Sequence, residues 1–194
     1  MNRFPANPLR PALSLLILMT VVLGFAYPVA VTGLAHVLFP QQAAGSLIMK
    51  DGRAVGSRLI GQPFTDPRYF WGRPSATLPQ PDNGLASGGS ALGPLDPALI
   101  AAIQARITAL KAADPGNRAP IPVDLVTASA SGLDPDISLA AAYYQADRIA
   151  RIRHLAPARV RALIAAHARR SWLGVLGEPR VNVLALNLAL DGVK

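Results

Sequence analysis

The clearest feature of the hydrophobic pattern is an uncharged run near the N-terminus. No Asp, Glu, Lys or Arg occurs in residues 12–39. As a helix this run would be roughly 42 Å long, more than the ~30 Å hydrocarbon core of a bilayer. Pro28 lies within it and predicts a kink. A cleaved signal peptide is the alternative, but no Ala-x-Ala cleavage site stands just after the most apolar stretch, which ends at Phe25. We therefore predict a short tail, residues 1–11, and a transmembrane helix, residues 12–39.

The rest of the chain, residues 40–194, has the shorter hydrophobic periods of a soluble domain. Apolar stretches on both sides of Asp51-Gly52 predict a β-hairpin, and a Pro- and Gly-rich stretch, residues 61–97, predicts irregular structure. Helices are predicted after the N-caps Asp96 and Ser138 and from Pro157 onward. The last apolar element, residues 181–190, is either a buried strand or a helix of one or two turns, and we favour a strand for its first half. The fold class is α+β: a single N-terminal transmembrane helix followed by one mixed α/β soluble domain.

Charge predicts the orientation of the helix. The N-terminal flank carries Arg3 and Arg10 without an acid, and it is too short to be a translocated domain. We expect the N-terminus in the cytoplasm and residues 40–194 outside it.

Composition excludes several kinds of chemistry. The chain has 19 Lys and Arg against 11 Asp and Glu, a net charge of +8, and it has no Cys, so disulfides, zinc-thiolate sites and thiol nucleophiles are excluded. No phosphate-binding loop, hydrolase elbow or zinc-protease motif is present, and the three His lack ligand spacing. The sequence therefore predicts no catalytic residue and no metal site.

Three segments are candidates for contact with a partner. Aromatic residues beside Arg on an irregular segment are typical of interface hot spots, although the same aromatics could fill the core of their own domain. The run of residues 87–90 could present backbone amides or serve as a flexible connection. The acidic turn at residues 134–136 could attract cations or cap a helix. The candidate contact residues are Tyr69, Phe70, Trp71, Arg73, Ser87, Gly88, Gly89, Ser90 and Asp134.

A basic block, residues 148–170, has seven arginines and no acid. It indicates either the solvated face of two helices or a site for anionic lipid headgroups or nucleic acid. An exported domain does not meet nucleic acid, so we expect none as a partner. The block supports an alternative function, a membrane-anchored periplasmic module that binds an anionic ligand.

Sequence blocks along nearly the whole chain resemble the KdpC family, which belongs to the Kdp potassium-transporting P-type ATPase. The matching blocks are Tyr69-Phe-Trp-Gly-Arg-Pro-Ser75, Ser87-Gly-Gly-Ser90, Pro122-Val-Asp-Leu-Val-Thr-Ala-Ser129, Ser131-Gly-Leu-Asp-Pro135, Gly177-Glu-Pro-Arg-Val-Asn182 and Leu186-Asn-Leu-Ala-Leu-Asp191. Their order and length are more specific than any single short motif.

The resemblance implies a non-catalytic accessory subunit of a high-affinity potassium uptake complex in the bacterial inner membrane. Its partners would be a channel-like potassium subunit, a P-type ATP-hydrolysing subunit and a small membrane peptide. The family is described as raising the ATP affinity of the ATP-hydrolysing subunit, and Gln145 looks like the glutamine connected with nucleotide. The chain would bind no cofactor by itself, and ATP only through the complex.

These implications fit the predicted topology if the domain acts at a distance from the nucleotide. A periplasmic domain cannot touch cytoplasmic ATP, so we expect its effect to pass through stabilisation of the assembly. Without Arg3 and Arg10, 17 basic residues remain against 11 acidic ones, so residues 40–194 carry +6. Such a domain repels K⁺ on average. We therefore expect it to cap the potassium subunit, with any attraction of ions confined to local acids such as Asp134.

Overall fold

The computed structural model describes residues 8–170 and 177–193. The chain divides into two compact units between Leu47 and Ile48. The first contains one long helix. The second combines helices with two small antiparallel sheets, so the α+β fold class is confirmed.

The long helix, Leu9–Leu38, is the one helix among the described residues that is long and apolar enough to cross a membrane. Its middle is π-helical and ends just before Pro28. A proline ring crowds the carbonyl four residues earlier, so the departure from α-helical geometry falls where the ring requires space. The segments are α1 (Leu9–Met19), the π-helix (Thr20–Ala26) and α2 (Tyr27–Leu38), followed by the short α3 (Pro40–Ala43).

The second unit begins with the predicted hairpin. Strands β1 (Leu47–Lys50) and β2 (Arg53–Ser57) pair with each other. The turn places both Asp51 and Gly52 at positive φ, 51° and 75°. Asp-Gly suits this turn because both residues enter the left-handed region more readily than others do.

Residues 58–96 contain no helix or strand, as the Pro and Gly content predicts. Helix α4 (Pro97–Ala113) follows. Its N-cap is Asp96, whose carboxylate accepts from the Ala98 N–H at 2.8 Å. The predicted start of this helix is confirmed.

Three further helices and a short sheet surround the core. Strands β3 (Asp136–Ser138) and β4 (Arg180–Asn182) are antiparallel and pair Ile137 with Val181. Ser138 caps α5 (Leu139–Ile152) through the Ala141 N–H at 3.0 Å, as predicted. The elements are a 3₁₀ turn (Val123–Leu125), β3 (Asp136–Ser138), α5 (Leu139–Ile152), α6 (Pro157–His167), β4 (Arg180–Asn182) and α7 (Val183–Asp191), and their most buried apolar side chains include Leu125, Ile149, Ile164, Leu186 and Leu190.

The prediction of a strand in the first half of residues 181–190 is wrong. Strand β4 ends at Asn182, and helix α7 occupies the rest. The Asn182 side chain accepts from the Ala185 N–H at 3.0 Å, which makes it an N-cap. The Leu and Ala residues beyond it favour a helix once that cap is in place.

Candidate functional site

The aromatic segment, residues 69–71, lies against helices α5 and α7. Phe70 is fully buried, and 6% of Trp71 is exposed. Both residues lie in the hydrophobic core of the second unit. Their burial agrees with the expectation that they fill the core of their own domain. As folded here, neither side chain offers a surface to a partner.

Two side-chain amides hold the backbone of this segment. Asn187 accepts from the Phe70 N–H at 2.9 Å and donates to the Phe70 carbonyl at 3.0 Å. Gln145 does the same for Trp71, at 2.8 Å and 3.1 Å. Buried peptide groups need partners, and this irregular segment has no neighbouring strand to supply them. The amides of α5 and α7 take that role.

Trp71 also makes contacts with two cations. The guanidinium carbons of Arg106 and Arg148 lie 5.1 Å and 5.0 Å from the ring centroid, within the range of cation–π attraction. The indole N–H donates to the Asp66 carbonyl at 2.9 Å. The tryptophan is therefore fixed by packing, a hydrogen bond and two cations.

Arg148 is buried without a carboxylate partner among the described residues. Its guanidinium donates to the Tyr69 carbonyl at 3.1 Å, to the Pro67 carbonyl and to Gln145 Oε1 at 2.8 Å. Burial lowers the pKa of Arg148 to about 10, against a smaller opposing effect of Asp114. The side chain therefore remains charged at neutral pH, and carbonyl oxygens solvate it.

Gln145 has no free hydrogen-bonding capacity. Its oxygen accepts from Trp71 and Arg148, and its nitrogen donates to the carbonyls of Trp71 and Ala141. Only 1% of the residue is exposed. A nucleotide could reach this amide only if these contacts first broke.

Tyr69 lies at the edge of the same cluster and is half-buried. Its hydroxyl donates to Asp191 at 3.1 Å, and the Arg153 guanidinium lies 4.7 Å from its ring centroid. Part of the side chain remains open to a partner.

Arg73 and Asp134 form an ion pair at 3.1 Å. Arg73 also donates to the Ala128 carbonyl at 3.2 Å, and Asp134 accepts from the Asp136 N–H at 3.0 Å. The pair therefore ties the chain just after the aromatic segment to the acidic turn. In the structure Asp134 closes a local turn rather than capping a helix.

The run of residues 87–90 lies on the surface, and hydrogen bonds to a neighbouring segment hold it in place. The Ser131 carbonyl accepts from the Gly88 N–H at 2.9 Å and from the Ser87 hydroxyl at 3.1 Å. A Cβ on Gly89 would lie 3.0 Å from the Ala130 carbonyl oxygen, so only glycine fits comfortably. Ser90 is exposed.

Exposed leucines, which the sequence did not predict, lie on both sides of this run along the chain. We call residues 84–95 the leucine segment, because they include three exposed leucines and no charged residue. Leu85 is 99% exposed, Leu95 88% and Leu92 36%. The available signal was the lack of charge between Asp82 and Asp96, but Gly and Pro content predicted only irregular structure.

The basic block is largely engaged within the chain. Arg151 pairs with Asp114 at 2.6 Å, Arg153 with Asp191 at 2.7 Å and Arg161 with Asp147 at 3.0 Å. These three ion pairs, together with the carbonyl contacts of the buried Arg148, engage four of the seven arginines of the block within the chain.

An open cavity of about 500 Å³ adjoins the acidic turn. Its three aspartates are engaged by Arg73, by Arg180 or by the start of α5. Over residues 8–170 and 177–193, no group of three or more His, Asp or Glu has the arrangement of a metal site. The charged side chains that line the cavity are Arg73, Asp124, Asp134, Asp136, Glu178 and Arg180.

Comparison with known proteins decides the family. A family model described as K⁺-transporting ATPase, c chain (KdpC), matches residues 9–192. The potassium-transporting ATPase KdpC subunit of Methylibium petroleiphilum is 67% identical over 184 residues, which cover 95% of this chain and 96% of the relative. The chain belongs to the KdpC family.

Other KdpC subunits are similarly close. That of Variovorax paradoxus is 66% identical over 185 residues, covering 95% of this chain and 96% of the relative. That of Polaromonas naphthalenivorans is 65% identical over 188 residues, covering 97% and 96%. The resemblance seen in the sequence blocks is confirmed, and it assigns the chain to a potassium-transporting ATPase as one of its subunits.

Proposed function

We propose that this chain is a non-catalytic accessory subunit that stabilises the assembled potassium-transporting ATPase. Its N-terminal helix anchors it in the bacterial inner membrane as a single pass with the N-terminus in the cytoplasm. Its soluble domain, residues 40–194, lies in the periplasm and docks on other subunits. The proposed partners are the channel-like potassium subunit, the ATP-hydrolysing subunit and the small membrane peptide.

The observation that carries this proposal is the leucine segment. Burial of one leucine side chain contributes about 1.5–3 kcal/mol. Burial of these three exposed leucines against a partner would therefore favour association substantially. The segment has a defined conformation because hydrogen bonds hold its base against Ser131 and Asn83. A surface that is apolar, uncharged and ordered before contact loses less entropy on binding.

The segment suits a neutral, apolar partner surface better than a charged one. It has no charged residue, although the domain around it carries a net charge of +6. A charged partner surface would therefore lose its hydration on docking and gain no ion pair from this segment. We place the exposed candidates Ser87, Gly89 and Ser90 at the same contact.

We further propose that any effect on ATP affinity is indirect. All four hydrogen bonds of Gln145 are made within this chain, so the residue supports the aromatic segment instead of binding nucleotide. A more stable assembly would hold the ATP-hydrolysing subunit in its nucleotide-competent form. ATP would then be bound by the complex and not by this chain.

The alternative of an anionic-ligand module on the basic block has less support. Its arginines at positions 148, 151, 153 and 161 are engaged with carbonyl oxygens or aspartates of the same chain. A ligand at that block would have to compete with these contacts.

The test is co-purification of the complex with a tagged form of this chain from potassium-starved cells. The double variant Leu85→Asp and Leu95→Asp should lose most of the associated subunits. Val123→Asp is the matched control, because Val123 is 70% exposed and lies outside the leucine segment. Undiminished recovery of the other subunits with the double variant would refute docking through this surface.

A further inference from the structure

A second open cavity, of about 720 Å³, lies beside the C-terminal end of α4. A volume of this size is within the range of sites that enclose a small molecule or a headgroup. Among residues 8–170 and 177–193, no acidic side chain lines it. The lining residues that matter here are Lys111, Arg118, Tyr144, Ile107 and Ile121.

The two cations of this groove differ from the arginines of the basic block. Neither Lys111 nor Arg118 makes an ion pair or a side-chain hydrogen bond with any described residue. The acid nearest to them in sequence, Asp114, is 5% exposed and already paired with Arg151. Two positive charges therefore face one concave surface without neutralisation.

The wall of the groove is fixed. Asn117 donates to the Tyr144 carbonyl at 3.0 Å and accepts from the Ala119 N–H at 3.0 Å. Pro115 and Pro120 further restrict this connection. The position of Arg118 between them is therefore limited by its backbone before any ligand binds.

Tyr144 adds a neutral donor. Its hydroxyl makes no hydrogen bond within the described residues. Burial and the charge of Asp114 raise the pKa of the phenol above 10.0, against the opposing effect of Arg148, so the hydroxyl stays protonated at neutral pH.

We propose that this groove binds an anionic phosphate group through Lys111, Arg118 and the Tyr144 hydroxyl. A guanidinium fork, an ammonium and a hydroxyl are donors that phosphate oxygens accept readily. The apolar walls at Ile107 and Ile121 would pack against the carbon skeleton that bears the phosphate. Two sources share this chemistry, a soluble phosphate ester and the headgroup of an anionic phospholipid. The groove is separate from the leucine segment and does not depend on docking.

The test is isothermal titration calorimetry on the full chain in neutral detergent micelles. Glycerol 1-phosphate is the soluble probe, and short-chain phosphatidylglycerol, compared with phosphatidylcholine, is the lipid probe. The groove variant is Lys111→Gln with Arg118→Gln. The matched control is Lys50→Gln with Arg53→Gln, which also removes one exposed Lys and one exposed Arg but lies in the hairpin.

We expect the groove variant to weaken binding roughly tenfold or more, since each charged donor contributes more than a neutral one. The control pair should change the affinity less than about twofold. Tyr144→Phe should weaken binding by a smaller factor without loss of folding. Binding of both probes assigns a phosphate site open to either source, and binding of phosphatidylglycerol alone assigns the headgroup as its ligand.

Three results would overturn the proposal. One is no heat from either probe at about 1 mM. Another is equal weakening in the groove and control variants, which would mean attraction by net charge only. The third is loss of the other subunits from the groove variant while neither probe binds, which would make the groove a surface for an acidic protein.

Discussion

Two parts of one irregular stretch, the aromatic segment and the leucine segment, have opposite environments. The aromatic segment is buried because Asn187 and Gln145 satisfy its backbone. The leucine segment has hydrogen bonds only at its base, and its apolar side chains face outward. An irregular segment enters a core when other elements supply partners for its peptide groups. Where partners such as Ser131 and Asn83 reach only part of the segment, its apolar side chains remain available to another protein.

The largest effect should come from removing the centre of the buried segment. Trp71→Ala should lower the free energy of unfolding by about 4 kcal/mol, because it opens a cavity and leaves Arg106 and Arg148 without the ring. Urea unfolding followed by far-ultraviolet circular dichroism measures this. Leu85→Ala is the comparison and should change stability by less than about 0.5 kcal/mol. Equal losses in the two variants would contradict the contrast between the segments.

A loss of about 3 kcal/mol should follow Gln145→Leu, which leaves a buried peptide group and part of the Arg148 guanidinium unpaired. Asn187→Leu is the matched variant on α7 and should cost about 2 kcal/mol, since it leaves only the Phe70 peptide group unpaired. The same urea titration measures both. If Gln145→Leu kept full stability and assembly yet reduced ATP affinity of the complex, a direct nucleotide role would be indicated.

Variants of the leucine segment test the exposed member of this comparison. Leu85→Asp with Leu95→Asp should change the unfolding free energy by no more than about 0.5 kcal/mol, because both side chains are already in solvent. The same variant should lose its partner subunits in co-purification. Strong destabilisation of the isolated chain would mean that the leucines pack within their own domain.

A small, pH-dependent effect should be seen at Asp82, which lies between the two segments in the sequence. Burial raises the pKa of its carboxyl above 3.8. A raised carboxyl pKa means that the folded state binds the proton more tightly than the unfolded state does. Proton binding therefore adds to the free energy of unfolding at acidic pH, and this stabilisation is lost as the pH rises through the folded-state pKa. The Asp82→Asn variant should therefore gain stability relative to the unmodified chain as the pH rises from about 4 to about 7. The gain should be less than ~1 kcal/mol because the group is partly solvated. Urea titrations at both pH values measure it, and the opposite trend would contradict the assignment.

Local signals in the sequence predicted most of the elements. Asp96 and Ser138 begin helices as expected because their side chains cap the adjacent N–H groups. The Asp51-Gly52 turn likewise predicted the hairpin, and the long apolar run predicted the N-terminal helix. Asn182 was not recognised as a cap, so the last element was assigned to the wrong class.

Long-range pairing could not be predicted. Gln145 meets Trp71 across 74 positions and Asn187 meets Phe70 across 117. Arg151 and Arg153 find acids 37 and 38 positions away. The lack of acids within the basic block therefore gave no sign of these ion pairs. The aromatic residues beside Arg predicted a contact surface, but two of them lie in the core. Only the folded chain reveals that the leucines of the leucine segment are exposed while Phe70 and Trp71 are buried.

The most direct test of the central claim is site-specific photocrosslinking in the assembled complex. A photoreactive benzoylphenylalanine would replace Leu85, Leu95 or, as the control, Val123, and mass spectrometry would identify the crosslinked chain. The account predicts that positions 85 and 95 crosslink to another subunit of the ATPase, whereas position 123 does not. Crosslinks from 85 and 95 only within the chain, or the same partner captured equally from 123, would contradict docking through the leucine segment.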